Sequence, residues 1–188
     1  TQTKTQEGIN HYISPLRQVG AAFNYYVNKK GVFCNGPLEG MAFLNLDQND
    51  GRVNFQLHFS PICIKNEYGY DAYDIYDYPR EDGFTILPTL LHPKSRGTVG
   101  LSSSNPNADP IIQPNFLHEK DDLDQLVKGG KLVYKLMDDK SLSKHIKSHG
   151  LPYDRSSDES LIDHIKKTLE TVYHPVGTCK MGNDSISV

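Results

Sequence analysis

Tryptophan is absent from the 188 residues, and cysteine occurs only at Cys34, Cys63 and Cys179. Three distant cysteines with no CxxC pair exclude a disulfide framework, and they leave the compartment unassigned. Long apolar runs are missing too, so no segment offers the ~20 apolar residues a membrane-spanning helix needs. There is no excess of one charge. Lysine plus arginine is 20 against 23 for aspartate plus glutamate, a formal charge of -3. That balance lacks the basic footprint of a dedicated nucleic-acid binder or a polybasic membrane anchor. No charged-then-apolar leader follows Thr1, which reads as the start of a processed or excerpted chain.

Whole chemistries are missing as well. A dinucleotide cradle needs a strand, GxGxxG and a helix, and no such run occurs. The GxSxG elbow of a serine hydrolase is absent; Ser102-Ser103-Ser104 follows a strand-like stretch without the necessary glycines. His145 and His149 are four apart and, on a helix, would share a face. Neither HExxH nor CxxC accompanies them, so no metal site is assigned. His174 and Cys179 lie five apart, but nothing else points to a thiol enzyme, and Cys179 reads as a small packing residue.

What is present is ordinary globular composition, 37% hydrophobic and 23% charged. Residues 1–12 are polar and aperiodic, a linker or truncated loop. Ser14-Pro15 then supplies an N-cap and a proline at the first helical position. Leu16, Val19, Phe23, Tyr26 and Val27 recur at helical spacing, and Gly31 is a natural stop, predicting a helix over about 15–30. A short strand is expected at 41–46. Over 52–60, Val53, Phe55, Leu57 and Phe59 alternate with Asn54, Gln56, His58 and Ser60, the period of a strand with one apolar and one polar face. If another domain covers the polar face, Asn54, Gln56 and His58 become candidate pocket-lining groups.

Residues 67–82 hold five of the eleven tyrosines among six acids, and read as a solvated excursion or an aromatic lid. Segments 84–92 and 97–103 predict two strands forming an antiparallel pair across Pro93–Arg96, with Pro88 consigning the first to an edge or a bulge. A turn-rich stretch leads to the strongest helix, 121–139. Its apolar face carries Leu123, Leu126, Val127, Val133, Leu136 and Met137, and three aspartates stand at its start. Gly129-Gly130 inside it costs about 1 kcal/mol per glycine, which a close approach to another backbone would explain. A last helix, capped by Ser157 or Asp158, runs to about Thr171.

The tail follows: YHPVGTCKMG, residues 173–182. On these residues alone, a histidine in such a turn is more often structural than catalytic. The motif, however, resembles the H-x-x-G-T-C-x-M-G segment of the glucose–methanol–choline (GMC) family of flavoprotein oxidoreductases. HPKSRGTVGLSSSNPNADPIIQPNFLHEKDDLDQLVKGGKLVYKL, residues 92–136, is similar to a run of that family's animal, glucose dehydrogenase-like branch.

The resemblance implies an α+β substrate-binding domain over 13–172. It would be an antiparallel or mixed sheet backed by helices 15–30 and 121–139, without a complete flavin-binding Rossmann-type domain. Residues 173–188 would lead into the closing part of the flavin domain. It implies FAD in the complete parent protein, an alcohol or sugar substrate, and His174 as base while hydride passes to the flavin. Tyr173 would approach the flavin, and the polar strand faces would wall the cavity. The compartment is not fixed by these residues, and analogy with animal relatives favours a secreted parent protein. The rival expectation is a non-catalytic binding or structural module of the same descent, since the flavin motif is not in these residues.

Overall fold

The structure is a computed structural model that describes residues 1–47, 51–65, 74–150, 153–185 and 187–188. It is an α+β fold, and among the described residues there are seven short strands, β1 (Gln2–Thr3), β2 (Gly40–Leu44), β3 (Phe55–Ser60), β4 (Thr85–Leu90), β5 (Thr98–Gly100), β6 (Ile111–Gln113) and β7 (Ile146–Ser148). Four α-helices are interspersed: α1 (Pro15–Asn28), α2 (Lys120–Asp138), α3 (Lys140–Ser143) and α4 (Asp158–Thr168). The strands form three antiparallel sheets, ordered β2-β3-β4, β1-β7 and β5-β6. Residues 67–73 of the tyrosine–aspartate island, with three of its five tyrosines, lie outside the described residues.

The core is built where the alternation of β3 meets the helical stripe of α2. Phe55 and Leu57 are buried, and Leu126, Val133 and Met137 pack into the same cluster with Phe84 and Ile146. Phe59 stacks on Phe84 at 5.3 Å between ring centroids. The strand ends before Pro61 as expected, and Pro88 sits in an edge strand, where its missing N–H costs no ladder bond.

Four expectations change. The strands at 84–92 and 97–103 do not pair with each other: β4 pairs with β3, and β5 with β6. The link between them does not close a hairpin because Asp122 of α2 takes its backbone donors, Lys94 N–H at 2.7 Å and Ser95 N–H at 2.8 Å. The glycine pair of α2 is explained by side chains rather than backbone. Gly129 faces the Phe55 ring and Gly130 faces Leu161 of α4.

Residues 1–12 are not a loose linker. β1 pairs with β7, and Asn10 is fully buried, donating to the Cys63 and Pro79 carbonyls and accepting from Cys63 N–H. Polarity misled the reading because these polar groups are paired, which is what permits their burial. Finally, α1 forms where its cap and stripe place it, but it ends at Lys29 in the left-handed conformation, ahead of Gly31. It packs on the short 3-10 turns Asn10–Ile13 and Val32–Cys34 rather than on the sheet. Leu16, Val19, Phe23, Tyr26 and Val27 stay exposed, from 60% to 86%. Periodicity reports that a face is apolar, and among the described residues nothing covers this one.

Candidate active site

Cross-strand register sorts the β2-β3-β4 sheet into two faces, because directly opposed residues project to the same side. One side carries Phe55, Leu57 and Phe59 toward α2. The other carries two rows, Phe43–Gln56–Thr89 and Met41–His58–Leu87. His58 is only 8% exposed, screened by its neighbours, and its Nδ1 lies 3.2 Å from the Thr89 hydroxyl. Gln56 Nε2 points at Met41 Sδ at 3.2 Å, a weak acceptor. Met41, Phe43 and Leu87 are exposed large apolar side chains.

Asn54 belongs elsewhere. It lies just before β3, where its Oδ1 accepts from Leu46 N–H at 2.9 Å and its Nδ2 donates to Asp47 at 3.2 Å. Its main chain is bonded to Leu44 and Leu91. The side chain braces the β2–β3 connection, so of the three candidates only Gln56 and His58 share the open face. Asp47 beside it receives Lys128 Nζ at 2.7 Å and the Gln125 amide. The Lys128 hydrogen bond, against partial burial and with help from Gln125, holds that carboxyl below its ordinary value.

The second group of candidates stands after α4. Ser157 caps that helix through the N–H of Ser160, two acids follow in the first turn, and Leu161 buries against α2. The helix stops at Thr168, three residues short of the expected end, and the chain continues without regular structure. Tyr173 takes φ +61°, an uncommon conformation for a non-glycine residue. Its N–H is held by Thr171 Oγ1 at 3.0 Å and its hydroxyl by Glu170. Gly177 follows at φ +104°. His174 and Pro175 lie between these two turns, with His174 exposed. Cys179 is exposed as well, contrary to its expected packing role, because the tail leaves the helical core before reaching it. No hydrogen bond among the described residues joins His174 to Gln56 or His58.

His145 and His149 do not share a helix face. They flank β7, His145 Nδ1 lying 3.0 Å from Glu7 and His149 Nε2 3.9 Å from Asp138. Among the described residues no group of three or more potential ligands could hold a metal ion. Sequence reasoning overlooked Asp122, buried to 3% exposure and clamping the Lys94–Ser95 turn. Its signal was the acid run at the start of α2, which was read only as a dipole effect. Met41 and Phe43 were overlooked as well; they become visible only once β2 is registered against β3.

The architecture is therefore an α+β unit with one sheet face packed by a helix, the other open among the described residues, and a histidine-bearing turn after its last helix. Residues 93–188 match the family profile described as GMC oxidoreductase. An alcohol dehydrogenase (acceptor) of Pseudomonas putida is 35% identical over 187 residues, 99% of this chain and 32% of that protein. An oxygen-dependent choline dehydrogenase of Rhizobium meliloti is 30% identical over 155 residues, 82% of this chain and 27% of that protein. A formate oxidase of Aspergillus oryzae, solved in a study of its FAD modification, superimposes with a TM-score of 0.78 at 20% identity, covering 95% of this chain and 35% of that one. The chain belongs to the GMC oxidoreductase family. It spans about a third of the length of the relatives it matches.

Proposed function

We propose that the protein carrying this chain is an FAD-dependent oxidoreductase that oxidises the CH–OH group of a small alcohol or sugar. In this reading the chain supplies the substrate wall and the catalytic base. The observation that carries it is His174, standing in the family-matched region within H-P-V-G-T-C-K-M-G and held between the turns at Tyr173 and Gly177. The resemblance of the 92–136 run supports membership of the animal, glucose dehydrogenase-like branch, and with it a secreted parent protein.

The residues here fit a flavin at its reactive end only. The exposed imidazole of His174 and the face around Gln56 and His58 suit a substrate lying between them and a ring system. No residues here form a dinucleotide cradle, so the rest of the polypeptide would hold most of FAD. When bound, FAD supplies the hydride acceptor. The chain's own residues do the remaining work. A ring nitrogen of His174 accepts the substrate hydroxyl proton, which makes the carbon-bound hydrogen a better hydride donor. Tyr173, tied back to Glu170, orients the turn that presents it.

The test is His174→Ala in the complete flavin-loaded polypeptide, followed by stopped-flow reduction of the flavin. Loss of a general base slows that step by roughly 10²–10⁴-fold. A near-normal reduction rate removes His174 from the mechanism.

A further inference from the structure

We propose that the open face of the β2-β3-β4 sheet selects an alcohol with an uncharged, apolar body, an alkyl or aryl primary alcohol, over a sugar or a quaternary-ammonium alcohol. The inference rests on the reading above, that this face walls the substrate site.

The register alone defines the surface. Gln56 and His58 lie along the central strand, with Phe43 and Met41 on one side and Thr89 and Leu87 on the other. Of the polar groups, His58 Nδ1 meets the Thr89 hydroxyl, and one Gln56 amide N–H meets the Met41 sulfur. The most exposed side chains of the six are the apolar ones, at 64% for Met41, 56% for Phe43 and 41% for Leu87.

A sugar carries a hydroxyl on nearly every carbon. Each one brought against Met41, Phe43 or Leu87 loses water without gaining a partner, which selects against it. A quaternary ammonium is recognised by clustered aromatic faces or by an unengaged carboxylate. The six residues include one phenyl ring and no carboxylate. Glu39, two residues before Met41 in the same alternation, already accepts from Asn35 Nδ2 at 2.9 Å. An alkyl or phenyl body, by contrast, gains from every carbon it lays on Met41, Phe43 and Leu87. Its single hydroxyl is then left for the base.

The experiment uses the complete flavin-loaded polypeptide and measures kcat/KM for straight-chain primary alcohols from butanol to octanol, benzyl alcohol, D-glucose and choline. Binding of the same compounds to the His174→Ala form is measured by calorimetry in parallel. Burial of each added methylene predicts a rise in kcat/KM of about fourfold. Benzyl alcohol and octanol should exceed glucose and choline by about 100-fold. Phe43→Ser should flatten the rise with chain length, acting through KM more than kcat.

A preference for glucose or choline, or no dependence on chain length, overturns the inference while leaving the oxidoreductase reading intact. If a preparation whose flavin is reduced by dithionite oxidises none of these compounds, the oxidoreductase reading fails, and calorimetry then judges the face by itself. Tighter binding of octanol than of glucose and choline, weakened by Phe43→Ser in the same background, upholds the inference. Equal or reversed binding ends it.

Discussion

Gly129 lies directly against the ring of Phe55. A Cβ at position 129 would stand 2.1 Å from the ring's Cζ and 2.4 Å from its Cε1, and that ring is fully buried. The contact brings α2 close enough to seal one face of the central sheet, and so decides which face is left for a ligand.

Gly129→Ala should therefore destabilise the protein despite the better helix propensity of alanine. Alanine gains about 1 kcal/mol in a helix interior. Displacing a packed ring costs about 1–3 kcal/mol and occasionally more. The expected outcome is a lower midpoint of thermal unfolding, partly restored when Phe55→Leu is added, since contacting sites are not additive. A raised midpoint in the single variant would mean that the ring moves aside freely.

Asp122 is the second lever. Burial opposes its ionisation, but the Ser95 hydroxyl and the backbone N–H groups of Lys94 and Ser95, with the Lys94 charge, outweigh it and hold the carboxyl below 3.8. A depressed folded value means that the stabilisation is present above the unfolded value and disappears as pH falls through the folded one. Asp122→Asn should cost about 2 kcal/mol at neutral pH, the range for hydrogen bonds to a charged group. It should also reduce the loss of stability on acidification below about pH 4. Unfolding midpoints at neutral and acid pH, compared between the two forms, check both effects. An equal acid loss in wild type and variant would assign it to other carboxylates.

Two histidines predict a separate acid sensitivity. Burial lowers His149, helped by the Arg155 charge and opposed by Asp138, and burial lowers His164, opposed by Asp163. Both sit by the clasp between α2 and α4, where the Tyr134 hydroxyl meets that of Tyr153 at 2.6 Å and the Tyr153 ring stacks on His164 at 4.3 Å. Folded values below 6.5 mean that the unfolded chain takes up protons first, so stability is full above that pH and falls just below it. The unfolding midpoint should drop between about pH 7 and pH 5, and His164→Gln should flatten that slope. The same slope in the variant would place the sensitivity elsewhere.

Periodicity carried the reading wherever a segment's environment is local. The strand centred on Phe55 to Ser60, the helix from Lys120 to Asp138 and the cap at Ser157 were legible because alternation, a 3.6-residue stripe and a side-chain acceptor all act within a few residues. His174 and its neighbours were legible as a motif, and Pro88 as an edge residue, for the same local reason. The sequence by itself determined the longer helices, the strands around Phe55–Ser60 and Thr85–Leu90, which of their faces are apolar, and where the base candidate stands.

Tertiary structure decided the partners. Pairing β4 with β3 rather than β5 depends on Asp122, nearly thirty residues away, capturing the backbone of the intervening link. Burial of Asn10 depends on carbonyls at Cys63 and Pro79. The apolar stripe of α1 announces a face without saying what meets it. Asn54 and His58, alike in the alternation, part company because one closes the β2–β3 connection and the other stands on the open face. Hydrogen bonds and packing between residues far apart in the chain leave no periodic trace, so only the folded arrangement shows which side chains remain free to meet a substrate.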